Sequence, residues 1–215
     1  MKHLTILVPD GQTGPNTLSC IIGAYHIFTE ANNYYEQHGK EKVFKIELAG
    51  VSVQAEFVNG LLKVVPQVSI EKLSRTSLII IPAITSAFAA PEAGNVKLVD
   101  WIVEQYKKGA QVASMCTGAY LLAATGLLDK KSCSIHWNAA ENFKRLFPNV
   151  ELKAEKLITD EQGIYTNGGG YSFLNLLLYL IEKYYNRQTA VYCSKVFQID
   201  IARETQSGFV MFKGQ

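Results

Sequence analysis

Apolar runs of strand length alternate with helix-like segments along this chain, and this alternation constrains the fold more than any other feature. Strands that are apolar on both faces need cover from both sides, which is the arrangement of a parallel sheet between two layers of helices. The sequence therefore predicts an α/β fold with a mostly parallel central sheet. The predicted strands are residues 3–9, 43–50, 77–83, 110–116 and 133–137.

Several helices can be placed between and after these strands. Residues 94–108 carry apolar side chains on one face and charges on the other, and Gly109 follows as a C-terminal stop signal. Residues 171–186 are apolar on nearly every side of a helix, which indicates either deep burial or a subunit interface. A further helix is expected at 189–197.

Two turns predict antiparallel strand pairs. Asn59-Gly60 lies between alternating segments within 51–66, which is a strong hairpin signal and suggests an antiparallel edge. Two more short strands are expected around a turn at 161–163.

The composition suits a single domain and argues against several functions. The chain has 215 residues, of which 48% are hydrophobic, and its net charge of +2 comes from scattered Lys and Arg, so it lacks the basic stripe of a nucleic-acid groove. No apolar stretch approaches the roughly 20 residues of a membrane helix, so we expect no membrane partner and a cytoplasmic location. Single cysteines without zinc-site spacing predict reduced thiols and no metal site; these are Cys20, Cys116, Cys133 and Cys193. We also expect no cofactor.

Residues 114–118 have the pattern of a nucleophile elbow, in which a strand turns sharply into a helix. Ser114 and Gly118 are the small residues that such a turn requires two positions before and after the central side chain. Cys116 would then lie at the carboxyl end of the sheet, where the N-terminus of a helix favours a thiolate and its N–H groups favour an oxyanion. The alternative is a buried cysteine that merely fills a tight turn.

A nucleophilic cysteine also needs a base. His136, near the end of the predicted strand 133–137, is the best candidate, although a single His beside Trp is more often a structural hydrogen-bonding residue. Residues 166–170, with the sequence TNGGG, suggest a backbone nest that closes the pocket over Cys116. The alternative for this segment is an ordinary tight turn.

The block SMCTGAYLLAATGLLDKKSCSIHW at 114–137 resembles the ThiJ/PfpI superfamily, in the branch that forms the N-terminal half of AraC-type transcriptional regulators. Residues 23–28, 164–184 and 202–209 resemble further segments of that branch in the same order. The resemblance implies a class I glutamine amidotransferase-like fold, a flavodoxin-like three-layer sandwich. It leaves two functions open, since the superfamily contains enzymes as well as regulators.

The resemblance also implies a division of the chain. Residues 1–198 are expected to form the ThiJ/PfpI-like domain, and 199–215 a linker toward a DNA-binding helix-turn-helix domain that lies outside this sequence. DNA would be contacted only through that domain. The alternative is a C-terminal arm that packs on the domain or on a partner subunit.

Departures from the enzyme pattern favour the regulator. Isonitrile hydratase-like enzymes have an acidic residue at the position that aligns with Cys20, and no Asp or Glu occurs between Gly11 and Phe28, although Asp10 lies nearby. The protease branch has His after the nucleophile, where this chain has Thr117. We therefore expect an effector-sensing or dimerising domain without catalytic activity. The alternatives are a hydratase or hydrolase that uses Cys116, and a redox sensor at the same thiol.

The expected effector pocket surrounds the elbow. By resemblance, such pockets are shallow and take a small molecule. A homodimer is expected because DNA half-sites are usually read by symmetric dimers, and the apolar helix at 171–181 is the candidate surface. The predicted ligand-binding residues are Cys116, Thr117, Gly118, His136, Asn167 and Gly168.

Overall fold

A computed structural model describes residues 1–10, 14–84 and 93–211. The helices are α1 (Pro15–Gln37), α2 (Ala93–Lys107), α3 (Ala119–Ala124), α4 (Ala140–Leu146), α5 (Phe173–Tyr184) and α6 (Arg187–Val196). The longer strands are β1 (Lys2–Val8), β2 (Phe44–Gly50), β6 (Leu78–Ile81), β7 (Gln111–Ser114), β10 (Ile158–Glu161) and β11 (Ile164–Asn167). The shorter strands are β3 (Ala55–Phe57), β4 (Leu62–Val64), β5 (Val68–Ser69), β8 (Ser132–Cys133) and β9 (Glu151–Leu152).

The central sheet has the order β10-β11-β7-β6-β1-β2-β5 in the described residues, and every strand except β10 is parallel to its neighbour. The apolar runs explain this arrangement, because side chains alternate between the two faces and both faces are buried. Ile6 and Ile80 pack on one side with α1, α5 and α6, whereas Leu7 and Ile79 pack on the other with α2 and α3. The predicted three-layer α/β fold is confirmed.

The predicted strand at 133–137 is mostly wrong. Only Ser132–Cys133 forms a strand, and it pairs with β9 outside the central sheet. At Ser134 the backbone N–H donates to the side chain of Thr166 (2.7 Å) rather than to a strand neighbour, and the hydroxyl donates to the carbonyl of Lys156 (2.5 Å). These hydrogen bonds involving side chains replace the backbone hydrogen bonds of paired strands, so the segment leaves the strand conformation before His136.

Both predicted turns form, but only one of them lies at the edge of the central sheet. The hairpin around Asn59-Gly60 is present, yet β3 and β4 make a separate two-stranded sheet instead of an edge of the central sheet. The antiparallel edge is β10, which is joined to β11 through Gln162 and Gly163, both with positive φ (55° and 78°). Positive φ at both central residues is the geometry of a type I′ hairpin turn.

Helix α5 is buried within the chain. It packs against α1 and α6, and its Leu176, Leu177 and Leu180 are inaccessible to solvent. Of the two readings of the sequence, deep burial therefore describes these leucines. The dimer surface expected at 171–181 stays a prediction, because Tyr171 and Tyr179 of this segment are 72% and 37% exposed. The predicted helices at 94–108 and 189–197 correspond to α2 and α6.

The tail after α6 follows the surface of the domain as far as the structure describes it. Thr205 pairs with Lys156 as an isolated antiparallel bridge, and Gln206 is the single buried side chain in the described segment 199–211. Residues 212–215 of the predicted linker lie outside the described residues. Within the described part of the chain, no helix combines the length and apolar character needed to cross a bilayer.

Candidate functional site

Cys116 lies at a sharp turn between a strand and a helix. Strand β7 ends at Ser114, a short 3-10 turn covers Cys116–Gly118, and α3 begins at Ala119. Cys116 has φ = 54°, a left-handed conformation that is strained for a residue with a side chain. The predicted elbow geometry is therefore present.

The small residue after the elbow is required by the backbone around it. A Cβ atom at Gly118 would lie 2.5 Å from the carbonyl oxygen of Pro82 and 2.8 Å from that of Ile81. Two positions before Cys116, Ser114 is fully buried, and its hydroxyl has no hydrogen-bond partner among the described residues. The elbow therefore packs directly against the end of β6.

The Cys116 side chain faces a small cavity of about 40 Å³. One water needs about 10–15 Å³ by the same kind of measure, so the cavity has room for a ligand of only a few heavy atoms. Its wall combines α1, the segment after β6, the elbow and the entry to α5. The lining residues are Asn16, Ser19, Cys20, Ala83, Cys116, Gly170, Tyr171 and Phe173.

Burial controls the protonation of the Cys116 thiol. It raises the pKa of Cys116 above the ordinary value, while hydrogen bonds from the backbone of Gly170 and from the backbone and hydroxyl of Thr117 oppose it without reversing the shift. The thiol is therefore protonated near neutral pH, contrary to the thiolate expected from the helix terminus. Because the thiolate is the form that is oxidised, a raised pKa also counts against the redox sensor.

Cys20 lies beside Cys116, and by resemblance it is the residue expected to align with the acid of the related enzymes. It lines the same cavity, and burial raises its pKa to about 12 despite a hydrogen bond from the backbone of Ala83. Asp10, the carboxylate that remained open in the sequence, accepts a hydrogen bond from the hydroxyl of Ser52 (2.9 Å) and does not line the cavity. Among the described residues, the cavity wall thus contains no carboxylate and no imidazole.

His136 holds a turn together and is absent from the described cavity wall. Its Nδ1 accepts a hydrogen bond from the backbone of Asn138 (3.1 Å) at the start of the 3-10 turn Trp137–Ala139. Its ring packs so closely on Gly169 that a Cβ atom there would overlap the imidazole. Burial lowers the pKa of His136, so this ring is neutral at physiological pH. These contacts give the histidine a structural role.

The other predicted ligand-binding residues also have internal partners. The Thr117 hydroxyl accepts from the backbone of Ile84 (3.2 Å), and the Asn167 amide donates to the carbonyls of Leu157 (3.2 Å) and Ser172 (3.0 Å). Gly168 packs against the side chain of Gln206. The structure therefore places only Cys116, of the six, in the described cavity wall.

Sequence reasoning missed the contribution of α1. Asn16, Ser19 and Cys20 lie at i, i+3 and i+4, so they share one helical face toward the cavity. That spacing was readable in the sequence, and it would have indicated that these three side chains share one side of the helix. Gly170 contributes from the opposite side, where the TNGGG segment meets the thiol.

Comparison with known proteins finds a matching family model and several curated relatives. The model of the DJ-1/PfpI family matches residues 35–183. The HTH-type transcriptional regulator CdhR from Pseudomonas aeruginosa is 29% identical over 138 residues, which are 64% of this chain and 40% of that protein. Other curated relatives are also named HTH-type transcriptional regulators, and the matches cover between 23% and 40% of the relatives' own length.

Solved structures share the fold over nearly the whole chain. A protein from Vibrio parahaemolyticus, described as a candidate transcriptional regulator, has a TM-score of 0.78 at 23% identity, with 91% of this chain and 98% of that chain covered. An AraC family transcriptional regulator from Pseudomonas putida has a TM-score of 0.73 at 14% identity, with 92% and 100% covered. At such identities the likeness concerns the fold alone.

Proposed function

Because the chain belongs to the DJ-1/PfpI family, we propose that it is the effector-sensing domain of a transcriptional regulator and that it has no catalytic activity. A helix-turn-helix domain outside this sequence makes the DNA contacts. The regulator acts in the cytoplasm as a homodimer, because symmetric dimers match the paired half-sites of operators. Its curated relatives, all named HTH-type transcriptional regulators, support this assignment.

The observation that carries the proposal is the presence of Cys20 beside Cys116. General acid-base catalysis needs a group that exchanges a proton near the operating pH, and a thiol with a pKa of about 12 does not. The elbow therefore retains its shape while the neighbouring proton-transfer group is missing. A cavity of this kind can bind a molecule without transforming it.

The wall of the cavity defines the class of effector. It offers the Asn16 amide, the Ser19 hydroxyl, two protonated thiols and the Phe173 ring, and it contains no cationic side chain among the described residues. A fixed anion would have no counter-charge there. The effector is therefore a small, uncharged molecule with at least one hydrogen-bonding group.

The second candidate function is a cysteine-dependent hydratase or hydrolase. The backbone of Gly170 and Thr117 hydrogen-bonds to the Cys116 thiol, and donors so placed favour the thiolate that a nucleophile requires. This feature alone favours catalysis, and the elbow geometry is compatible with it. A thiol held in its protonated form by burial weighs against it, because the thiolate is the nucleophile.

Filling the cavity from α1 tests the sensing function. Wild-type protein is screened by ligand-observed NMR against uncharged fragments of a few heavy atoms, and the variant Ser19→Leu is expected to weaken binding at least about tenfold, equivalent to 1.4 kcal/mol. Thr29→Leu is the matched control. Each hydroxyl donates to the carbonyl four residues earlier on α1, at Pro15 and Tyr25, and Thr29 does not line this cavity.

The control must bind fragments as the wild type does. Absence of any fragment binding by the wild type would contradict the sensing function. Binding that Ser19→Leu leaves unchanged would place the ligand elsewhere and would contradict the Cys116 cavity as the sensing site.

A further inference from the structure

Gln206 anchors the C-terminal tail to the domain. Its Nε2 donates to the carbonyls of Ile135 (2.9 Å) and Ala154 (2.6 Å), and its Oε1 accepts from the backbone N–H of Gly169 (3.3 Å). The side chain is 1% exposed. Phe209, by contrast, is 64% exposed, so the described tail depends on Gln206 for its buried contact.

The same glycine segment forms one wall of the Cys116 cavity. Gly170 lines the cavity and hydrogen-bonds to the Cys116 thiol through its backbone, and Gly169, the next residue back, donates to Gln206. The cavity and the tail anchor are therefore separated by one peptide unit. This is a contiguous physical connection between the site and the segment that leaves the domain.

The segment has little free space in which to absorb a displacement. A Cβ atom at Gly169 would overlap the His136 ring, and one at Gly168 would lie 2.8 Å from the Gln206 side chain. When a ligand displaces Gly170, the backbone of 168–170 cannot move toward the His136 ring, because no space is left there. The displacement is therefore transmitted to Gln206. A closely packed segment shifts as a unit because protein interiors contain few voids.

A backbone ladder connects the same parts. Gly168 donates to the carbonyl of Leu157 (2.8 Å), Leu157 donates to that of Glu204 (3.1 Å), and Gln206 donates to that of Glu155 (3.2 Å). The amides of Leu157, Gly169 and Gln206 therefore report whether the tail is docked. Their hydrogen exchange will accelerate when the tail detaches.

We propose that Gln206 couples occupancy of the Cys116 cavity to docking of the tail, so that a ligand in the cavity releases residues 203–211 from the domain. The purpose of this coupling rests on the proposed sensing function, since the tail leads toward the DNA-binding domain. The coupling itself is a property of this chain and needs no natural effector. Gln206 acts as a positioning residue, without contact to the ligand.

The test uses methyl methanethiosulfonate as a small cavity-filling probe. At mildly alkaline pH the Cys116 thiolate attacks the methylthio sulfur of the reagent and the bond between its two sulfur atoms breaks, so that a methyl disulfide forms on Cys116 and methanesulfinate leaves. Modification of Cys116 is verified by mass spectrometry, and amide hydrogen exchange is then measured by NMR. Exchange at Leu157, Gly169 and Gln206 is expected to become at least about fivefold faster, the lower end of typical allosteric couplings. The Ile6 amide in central β1 should not change.

Four variants separate coupling from other effects. Cys116→Ser, treated identically, must show no acceleration. In Gln206→Ala the tail amides are expected to exchange rapidly before modification, and the probe should produce no further change. If the alanine variant fails to fold, Gln206→Glu replaces it, because glutamate keeps the acceptor for Gly169 and loses the two N–H donors. Ser19→Leu, which fills the cavity without chemistry, should reproduce the effect of the probe.

Unchanged tail exchange after complete modification of Cys116 would overturn the coupling, and so would an equal acceleration of the Ile6 amide. The result is independent of fragment binding. Coupling without any fragment binding would leave this inference intact and contradict the sensing function. Fragment binding without coupling would support the sensing function and contradict this inference.

Discussion

Gly118→Ala is expected to lower the free energy of unfolding by about 2–3 kcal/mol, which is large for the addition of one methyl group. The new Cβ atom would lie 2.5 Å from the carbonyl oxygen of Pro82 and 2.8 Å from that of Ile81. Both oxygens belong to backbone at or just beyond the end of β6, which pairs with β1 and β7 in the centre of the sheet. Neither can move without disturbing that pairing, so the elbow must distort.

Urea denaturation measures this cost, and Gly208→Ala provides the matched control. Gly208 has no heavy atom near the position of a Cβ and no positive φ, so its substitution should change the free energy of unfolding by less than about 0.5 kcal/mol. Equal stability of the Gly118 and Gly208 variants would show that the elbow is not packed against β6 as described.

Leu177→Ala is expected to lower the free energy of unfolding by about 2–5 kcal/mol, because the substitution leaves a cavity in the core between the sheet and its helices. Leu177 lies on α5, which contacts α1 and α6, and its side chain is fully buried. The substitution also separates the two readings of this apolar helix. A residue of the core affects unfolding, whereas a residue at a subunit interface affects association.

Urea denaturation measures the effect of the substitution on the free energy of unfolding, and sedimentation velocity measures its effect on association. The control Leu61→Ala removes the same atoms from a side chain that is 76% exposed, and it should change stability by less than about 0.5 kcal/mol. A Leu177→Ala protein of wild-type stability with a changed association state would mean that α5 is an interface after all.

The fold was predictable because its determinants are local. Runs such as 3–9 and 77–83 are mostly apolar on both faces of a strand, which a doubly covered sheet explains, and the turn at 161–163 was recognisable as the connection between two short strands. The elbow was also predictable from the sequence, because a sharp turn leaves room only for small side chains within a few positions of Cys116. These features depend on side-chain size and periodicity alone.

The cavity was less predictable because distant segments build it. His136 sits beside Trp137 in a strand-like run, yet hydrogen bonds between Ser134 and the distant Thr166 and Lys156 end that strand early. The role of Gln206 depends on carbonyls more than fifty residues away, at Ala154 and Ile135. No local pattern encodes such contacts. The expectation that Cys20 stands where related enzymes have an acid stays a prediction, although Cys20 and Cys116 line the same cavity.

The central claim is that the Cys116 cavity binds a small molecule without transforming it, and a turnover assay tests this claim most directly. Hydration of isonitriles and hydrolysis of glyoxal adducts are followed with wild type and Cys116→Ala, at neutral and mildly alkaline pH, since burial raises the pKa of this thiol. The account predicts rates for both proteins that equal the rate in buffer. Appreciable wild-type turnover that disappears in Cys116→Ala would contradict it.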